Sequence, residues 1–204
     1  DNICHEHLTY FSLTALCHLL ERHELEVFDV RLSPVNGGCI RTLVARKDER
    51  PISPSVAHRL HREQESDIGD PERWRQFGAR AHADLDDLRA LVHAITQRGE
   101  RCYIYGASTR GSTLWQGAGL GPQELPKAVE RQPQKVGKYV SSLGIPIISE
   151  EQARLEHPEY MLVSPWFFRD QIVRREAQYL RRGGKLIFPL PHLEIVTATG
   201  VERP

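Results

Sequence analysis

Cysteine is scarce in this chain and unpaired. Cys4, Cys17, Cys39 and Cys102 are scattered, and none belongs to a Cys-x-x-Cys pair. That pattern excludes a dense disulfide scaffold and a paired-cysteine zinc site, and it predicts free thiols in a cytoplasmic protein. Methionine occurs once, at Met161, and the chain starts at Asp1, so the sequence reads as part of something larger. Neither charge sign dominates: Lys and Arg total 27, Asp and Glu total 27. The basic excess of a nucleic-acid binder is therefore missing. No apolar run approaches the ~20 residues of a membrane span, and no signal peptide is visible. Two nucleotide fingerprints are absent as well, Gly-x-Gly-x-x-Gly and a Gly-Lys-Ser/Thr P-loop, which argues against a nicotinamide-dependent enzyme. What remains is ordinary for a globular protein, 40% hydrophobic and 26% charged over 204 residues, enough for one or two compact units.

Periodicity divides the chain in two. Leu13, Leu16, Cys17, Leu19 and Leu20 recur at helical spacing after Ser12, a plausible cap. Leu25 to Leu32 alternates as a strand, Gly37-Gly38 turns the chain, and Ile40 to Arg46 reads as a second strand. Pro51 and Pro54 mark a break, and Val56 to Asp67 reads as a polar helix. Pro71 to Arg98 is a longer one, with Trp74, Phe77, Ala81, Leu85, Leu88, Leu91, Val92 and Ile95 on one face and Gly99 after its end. From Arg101 short apolar runs alternate with helical stretches. Strands are predicted at Cys102–Tyr105, Ala128–Glu130, Ile145–Ile148, Tyr160–Val163 and Lys185–Leu190, and helices at Thr109–Leu120 and Asp170–Arg182. That alternation predicts an α/β fold, a parallel sheet with flanking helices.

Two stretches carry chemistry. Gly106 to Gly111 follows a strand and opens a helix, the usual ligand crevice of an open α/β sheet. Ser108, Thr109, Ser112 and Thr113 add hydroxyls there and Arg110 adds charge. A nucleotide-phosphate site and a plain tight turn are both open readings. Cys4-His5-Glu6-His7-Leu8-Thr9-Tyr10 packs two histidines, a carboxylate, a thiol and a phenol into seven residues. It admits metal binding, a hydrogen-bonded structural cluster, or acid–base work by a histidine with an unperturbed pKa of roughly 6.5. Its spacing matches neither His-Glu-x-x-His nor paired cysteines. Asn36-Gly37-Gly38 fits a hairpin turn as well as it fits a polar contact. Lys138 and Tyr139 read as exposed loop residues or as ligand contacts, and Trp166 as sheet packing.

The segment Asp1 to Leu13 resembles the catalytic stretch of the S-adenosylmethionine-dependent C-methyltransferases that act on nucleotide-linked keto-sugars. Asn36-Gly37-Gly38-Cys39-Ile40-Arg41, Tyr105 to Thr113, and Pro165-Trp166 with Gly183 to Pro191 match the same family in the same order. The resemblance implies three parts in the whole enzyme: a zinc-binding domain, a methyl-donor domain and a Rossmann-like C-terminal domain. Residues 1–50 would close the methyl-donor domain with a helix and a β-hairpin, 51–100 would form a helical linker, and 101–204 the Rossmann-like domain. It further implies methylation of a carbon beside a ketone, most directly on a nucleoside diphosphate 4-keto-sugar, through an enolate. His7 would be the base and Glu6 its neighbour, with His5 beside them. Asn36, Gly106, Ser108, Thr109, Arg110, Lys138 and Tyr139 would face the substrate. The methyl donor would be held mainly by another part of the enzyme, zinc only by the N-terminal domain, and no metal by these residues. The expected partner is the sugar nucleotide, with neither nucleic acid nor membrane. A non-catalytic module that binds nucleotide or only stabilises the enzyme is the alternative. Cys4 stands where relatives commonly place tyrosine, and Asn36 where some carry histidine.

Overall fold

The computed structural model describes residues 3, 6–34 and 38–204. They fall into two compact units whose main spans are Glu6–Arg80 and Ala81–Pro204.

The first unit opens with α1 (Leu13–Glu21), capped by Ser12, whose Oγ accepts the Ala15 N–H at 3.1 Å. An antiparallel pair follows, β1 (Leu25–Ser33) and β2 (Cys39–Arg46), in register from Leu25 opposite Arg46 to Ser33 opposite Cys39, with a bulge between Val27 and Asp29. Helix α2 (Pro54–Glu65) starts on Pro54, tolerated there because the first helical N–H has no intrahelical partner. The core is small: Leu13, Val27, Val30 and Val56, with Cys17, Leu20, Ile40 and Leu60 packed against them. Leu8, Leu32 and Ile52 remain exposed.

Helix α3 (Pro71–Gln97) runs across the boundary at Arg80. Its later turns bury Leu88, Val92 and Ile95, and Gly99 ends it at φ +75°. The helical periodicity extends its apolar face back to Trp74 and Phe77, yet both are exposed. Trp74 instead donates its indole N–H to the Ile68 carbonyl at 2.8 Å and meets the Phe77 ring edge-on.

The second unit is built on β3 (Cys102–Tyr105), β4 (Ala128–Glu130), β6 (Ile145–Ser149), β7 (Tyr160–Val163) and β8 (Lys185–Phe188). Three short strands extend it: β5 (Tyr139–Val140), β9 (Glu194–Val196) and β10 (Val201–Glu202). Among the described residues they form one eight-stranded sheet in the order β10-β9-β8-β7-β3-β4-β6-β5. The central five are parallel, and the three short strands are antiparallel additions. The parallel part is a Rossmann-like order, with β4 and β7 on opposite sides of β3.

Strand pleating sends alternate residues to opposite faces. Cys102 and Ile104 join α3 and Trp115 of α4 (Thr109–Gly117) in one core. Tyr103 and Tyr105 join the other, with Ala153 of α5 (Glu150–Glu156), Ile172 of α6 (Arg169–Arg175) and Tyr179 of α7 (Ala177–Arg181). Burial on both faces explains why these strands read as continuous apolar runs. The single helix expected over Asp170–Arg182 is broken at Glu176. There the side chain turns inward, accepts the Tyr105 hydroxyl at 2.9 Å and pairs with Arg154.

Candidate functional site

The sheet order changes direction between β3 and β7, and the carboxyl ends of the strands beside that point form the crevice where open α/β sheets bind ligands. A cleft of about 430 Å³ lies there, within the range of small-molecule sites. Gly106 turns the chain out of β3 at φ +87°, and a Cβ on it would come within 3.1 Å of Pro165 Cδ. Ser108 caps α4, its Oγ accepting the Gly111 N–H at 3.1 Å. Gly106 and Ser108 both line the cleft. Thr109 opens α4. Ser112 and Thr113 donate their hydroxyls to the Ser108 and Thr109 carbonyls, so these groups serve the helix itself. Arg110 lies over the Phe167 ring at 5.2 Å.

The charges inside the cleft come from residues that sequence reasoning missed. Glu130, the last residue of β4, accepts from the Arg131 and Gln132 N–H groups at 2.7 and 3.2 Å. Its other oxygen accepts from the Ala107 N–H at 3.3 Å and Lys135 Nζ at 3.2 Å. Burial alone would raise this carboxyl, but the backbone N–H donors and Lys135 hold it below its ordinary value. Lys135 also donates to the Ala107 carbonyl at 2.9 Å, so the loop after β4 folds back onto the turn after β3. Arg131 lines the cleft with no side-chain ion pair among the described residues. Arg175, also in the lining, pairs with Glu150. Tyr105 forms part of the lining, and burial and then the Glu176 charge push its phenol up. An acidic residue about 20 positions beyond a glycine turn was a signal that could have found Glu130. Nothing local marks Lys135.

The other predicted residues lie elsewhere. Lys138 and Tyr139 sit at β5, at one edge of the sheet and outside the cleft lining, with Tyr139 opposite Pro146 and exposed. Glu6 and His7 belong to the first unit, exposed in the segment before α1, with the His7 ring edge-on to Tyr10 at 5.9 Å. That segment leads into a helix start held by Glu63 of α2. The Glu63 carboxylate accepts the Leu13 and Thr14 N–H groups and the Thr14 hydroxyl. His5, Cys4 and Asn36 lie outside the described residues. Among the described residues no group of His, Cys, Asp and Glu is placed to hold a metal, and no helix is long and apolar enough to cross a membrane.

The family described as the C-methyltransferase C-terminal domain matches residues 34–191 of this sequence. C-methyltransferase NovU of Streptomyces niveus is 36% identical over 199 residues, which cover 97% of this chain and 47% of NovU. The chain therefore spans about half the length of the curated relative it matches.

Proposed function

Because this chain belongs to the C-methyltransferase C-terminal domain family, we propose that it forms the C-terminal part of an S-adenosylmethionine-dependent enzyme that methylates a carbon beside a ketone. The substrate is a nucleoside diphosphate 4-keto-sugar. The single observation that supports this most is the cleft at the sheet's switch point, where Gly106, Ser108, Arg131 and Lys135 meet. Such a cleft suits a handle that is both anionic and ring-bearing.

The reacting end is assigned to the first unit. A hydrogen beside a ketone is weakly acidic, and its removal leaves a nucleophilic carbon. His7 takes that proton, because an imidazole nitrogen is a common general base and this one is exposed to an incoming substrate. Glu6 orients His7 or a sugar hydroxyl, and His5 supports them. Helix α1 and the β1–β2 hairpin are the closing elements of the methyl-donor domain, which would cover the exposed Leu8, Leu32 and Ile52.

The methyl donor supplies the methyl group, and this chain's second unit does not fit it. The donor carries a sulfonium cation, whereas the cleft is lined by Arg131 without an ion pair among the described residues, and both oxygens of Glu130 are engaged by protein donors. The donor is therefore assigned to the half of the enzyme that this chain does not span.

The test is turnover by the full-length enzyme on a nucleoside diphosphate 4-keto-sugar, with product analysed by NMR. The expected product carries a new carbon-bound methyl beside the former ketone, and the His7→Ala variant is slower by about 10²–10⁴-fold. A methyl on oxygen, or an unimpaired His7→Ala variant, would contradict the assignment. The second outcome would favour a module that only binds nucleotide or stabilises the enzyme.

A further inference from the structure

In a dinucleotide-type crevice the acidic residue ending the second strand takes ribose hydroxyls. Glu130 stands at that place and is unavailable, since its two oxygens already accept four N–H donors. A carboxylate offers about four lone-pair sites, so this one is saturated. Lys135, drawn over the turn by Glu130 and the Ala107 carbonyl, occupies the region instead. The crevice thus presents cations where related crevices present an acceptor.

Two of the positive groups are also accessible to a ligand. Lys135 is partly exposed, and Arg131 beside it has no side-chain partner among the described residues. Glu130 and Glu150 line the same cleft but are paired, with Lys135 and Arg175. The apolar lining includes Val129, Pro165, Ile172 and Phe168, and Phe168 is 56% exposed although it is a large aromatic. An exposed aromatic in one cleft with an arginine that has no ion pair among the described residues and a partly exposed lysine can hold a base by stacking and its phosphates by charge.

The geometry points to Arg131 and Lys135, on the loop after β4, as the residues that bind the diphosphate of the ligand while its base lies against Phe168. This rests on the nucleotide-sugar reading above and deepens it. The Gly106–Ser108 turn then shapes the cleft, and recognition of the anion belongs to the β4 loop. Glu130 acts as a positioning residue that keeps Lys135 over the turn and makes no ligand contact of its own.

The experiment is calorimetric titration of the 204-residue chain with uridine, thymidine and guanosine diphosphates, the corresponding nucleosides and inorganic pyrophosphate. Wild type is expected to bind at least one diphosphate and to bind its nucleoside more weakly. Arg131→Gln and Lys135→Met should each weaken the diphosphate by about tenfold, the scale of one charge-assisted contact, and leave the nucleoside unchanged. Arg131→Gln breaks no side-chain hydrogen bond or ion pair among the described residues, so it keeps the test open if Lys135→Met disturbs the loop. Variants that bind the diphosphate within twofold of wild type would overturn the assignment of these cations and leave the nucleotide reading intact. Pyrophosphate as tight as the best diphosphate would also overturn it, as a site for free anion. Wild type that binds no diphosphate would overturn this inference together with the nucleotide reading.

Discussion

Glu63 holds the first turn of α1 from fifty residues away. Its Oε1 accepts the Leu13 N–H at 2.8 Å, and its Oε2 accepts the Thr14 N–H at 2.9 Å and the Thr14 hydroxyl at 2.8 Å. These N–H groups are among those a helix start leaves unsatisfied, and a carboxylate near a helix N-terminus is also favoured by the helix dipole. Burial would raise the Glu63 carboxyl, yet the Thr14 and Leu13 donors outweigh it and hold the group below its ordinary value. The contact ties together α1 and α2, and it fixes where the segment carrying Glu6 and His7 ends.

Glu63→Ala should therefore destabilise the first unit by about 2–4 kcal/mol, because it leaves two N–H donors without their partner. Amide hydrogen exchange is the measurement. Leu13 and Thr14 should lose protection, whereas β3 and β7 keep theirs. Glu63→Gln retains one acceptor oxygen and should give a smaller loss. Unchanged protection at Leu13 in Glu63→Ala would contradict the role.

Gly111 is required by Ser164. A Cβ added at Gly111 would lie 2.3 Å from Ser164 Oγ and 2.9 Å from Ser164 Cβ. Gly111→Ala should cost about 1–3 kcal/mol in denaturant unfolding, the usual range for overpacking. Ser164→Gly should recover much of that loss in the double variant, so the pair will be strongly non-additive. Simple additivity would mean that the two residues do not touch.

Acid should weaken the second unit through two carboxyls. Glu156 is pulled down to about 2, first by Lys127 Nζ and then by the Tyr103 hydroxyl, and Glu159 to about 2 mainly by Arg101. A depressed carboxyl contributes stability that is complete above its ordinary value of 4.5 and lost as pH falls through its folded value. Unfolding free energy should thus drop between about pH 4.5 and 2. Lys127→Met should lower stability at pH 7, and the gap to wild type should narrow toward pH 2. A gap independent of pH would show that Lys127 acts through packing alone.

The chain by itself should not transfer methyl groups. The donor is assigned outside it, so the purified 204-residue chain with substrate and S-adenosylmethionine should give no methylated product by mass spectrometry. Product formation would place a donor site within these residues.

Much of this architecture was legible because its signals are local. Helical spacing from Leu13, alternation from Leu25, and the apolar run Cys102–Tyr105 followed by Gly106 each predict an element that is present. The illegible parts depend on partners distant in sequence. β5, β9 and β10 are two or three residues long and exist as strands only through pairing with a neighbour. The break at Glu176 follows from Tyr105 and Arg154, and the polar pattern of α2 conceals a buried Glu63. Trp74 and Phe77 fit the apolar periodicity and still face out, because periodicity reports which side a residue is on and not what covers it. At the cleft the glycine turn was readable, whereas the Glu130–Lys135 pair depends on a loop folding back on that turn.

The central claim is that His7 removes a proton from the carbon beside the substrate's ketone. The most direct measurement is solvent deuterium exchange at that carbon, followed by NMR, with full-length enzyme and no methyl donor. Wild type should incorporate deuterium at that position, and His7→Ala should exchange no faster than the substrate does in buffer. Wild-type rates of exchange in His7→Ala would contradict the account and move the base to another residue.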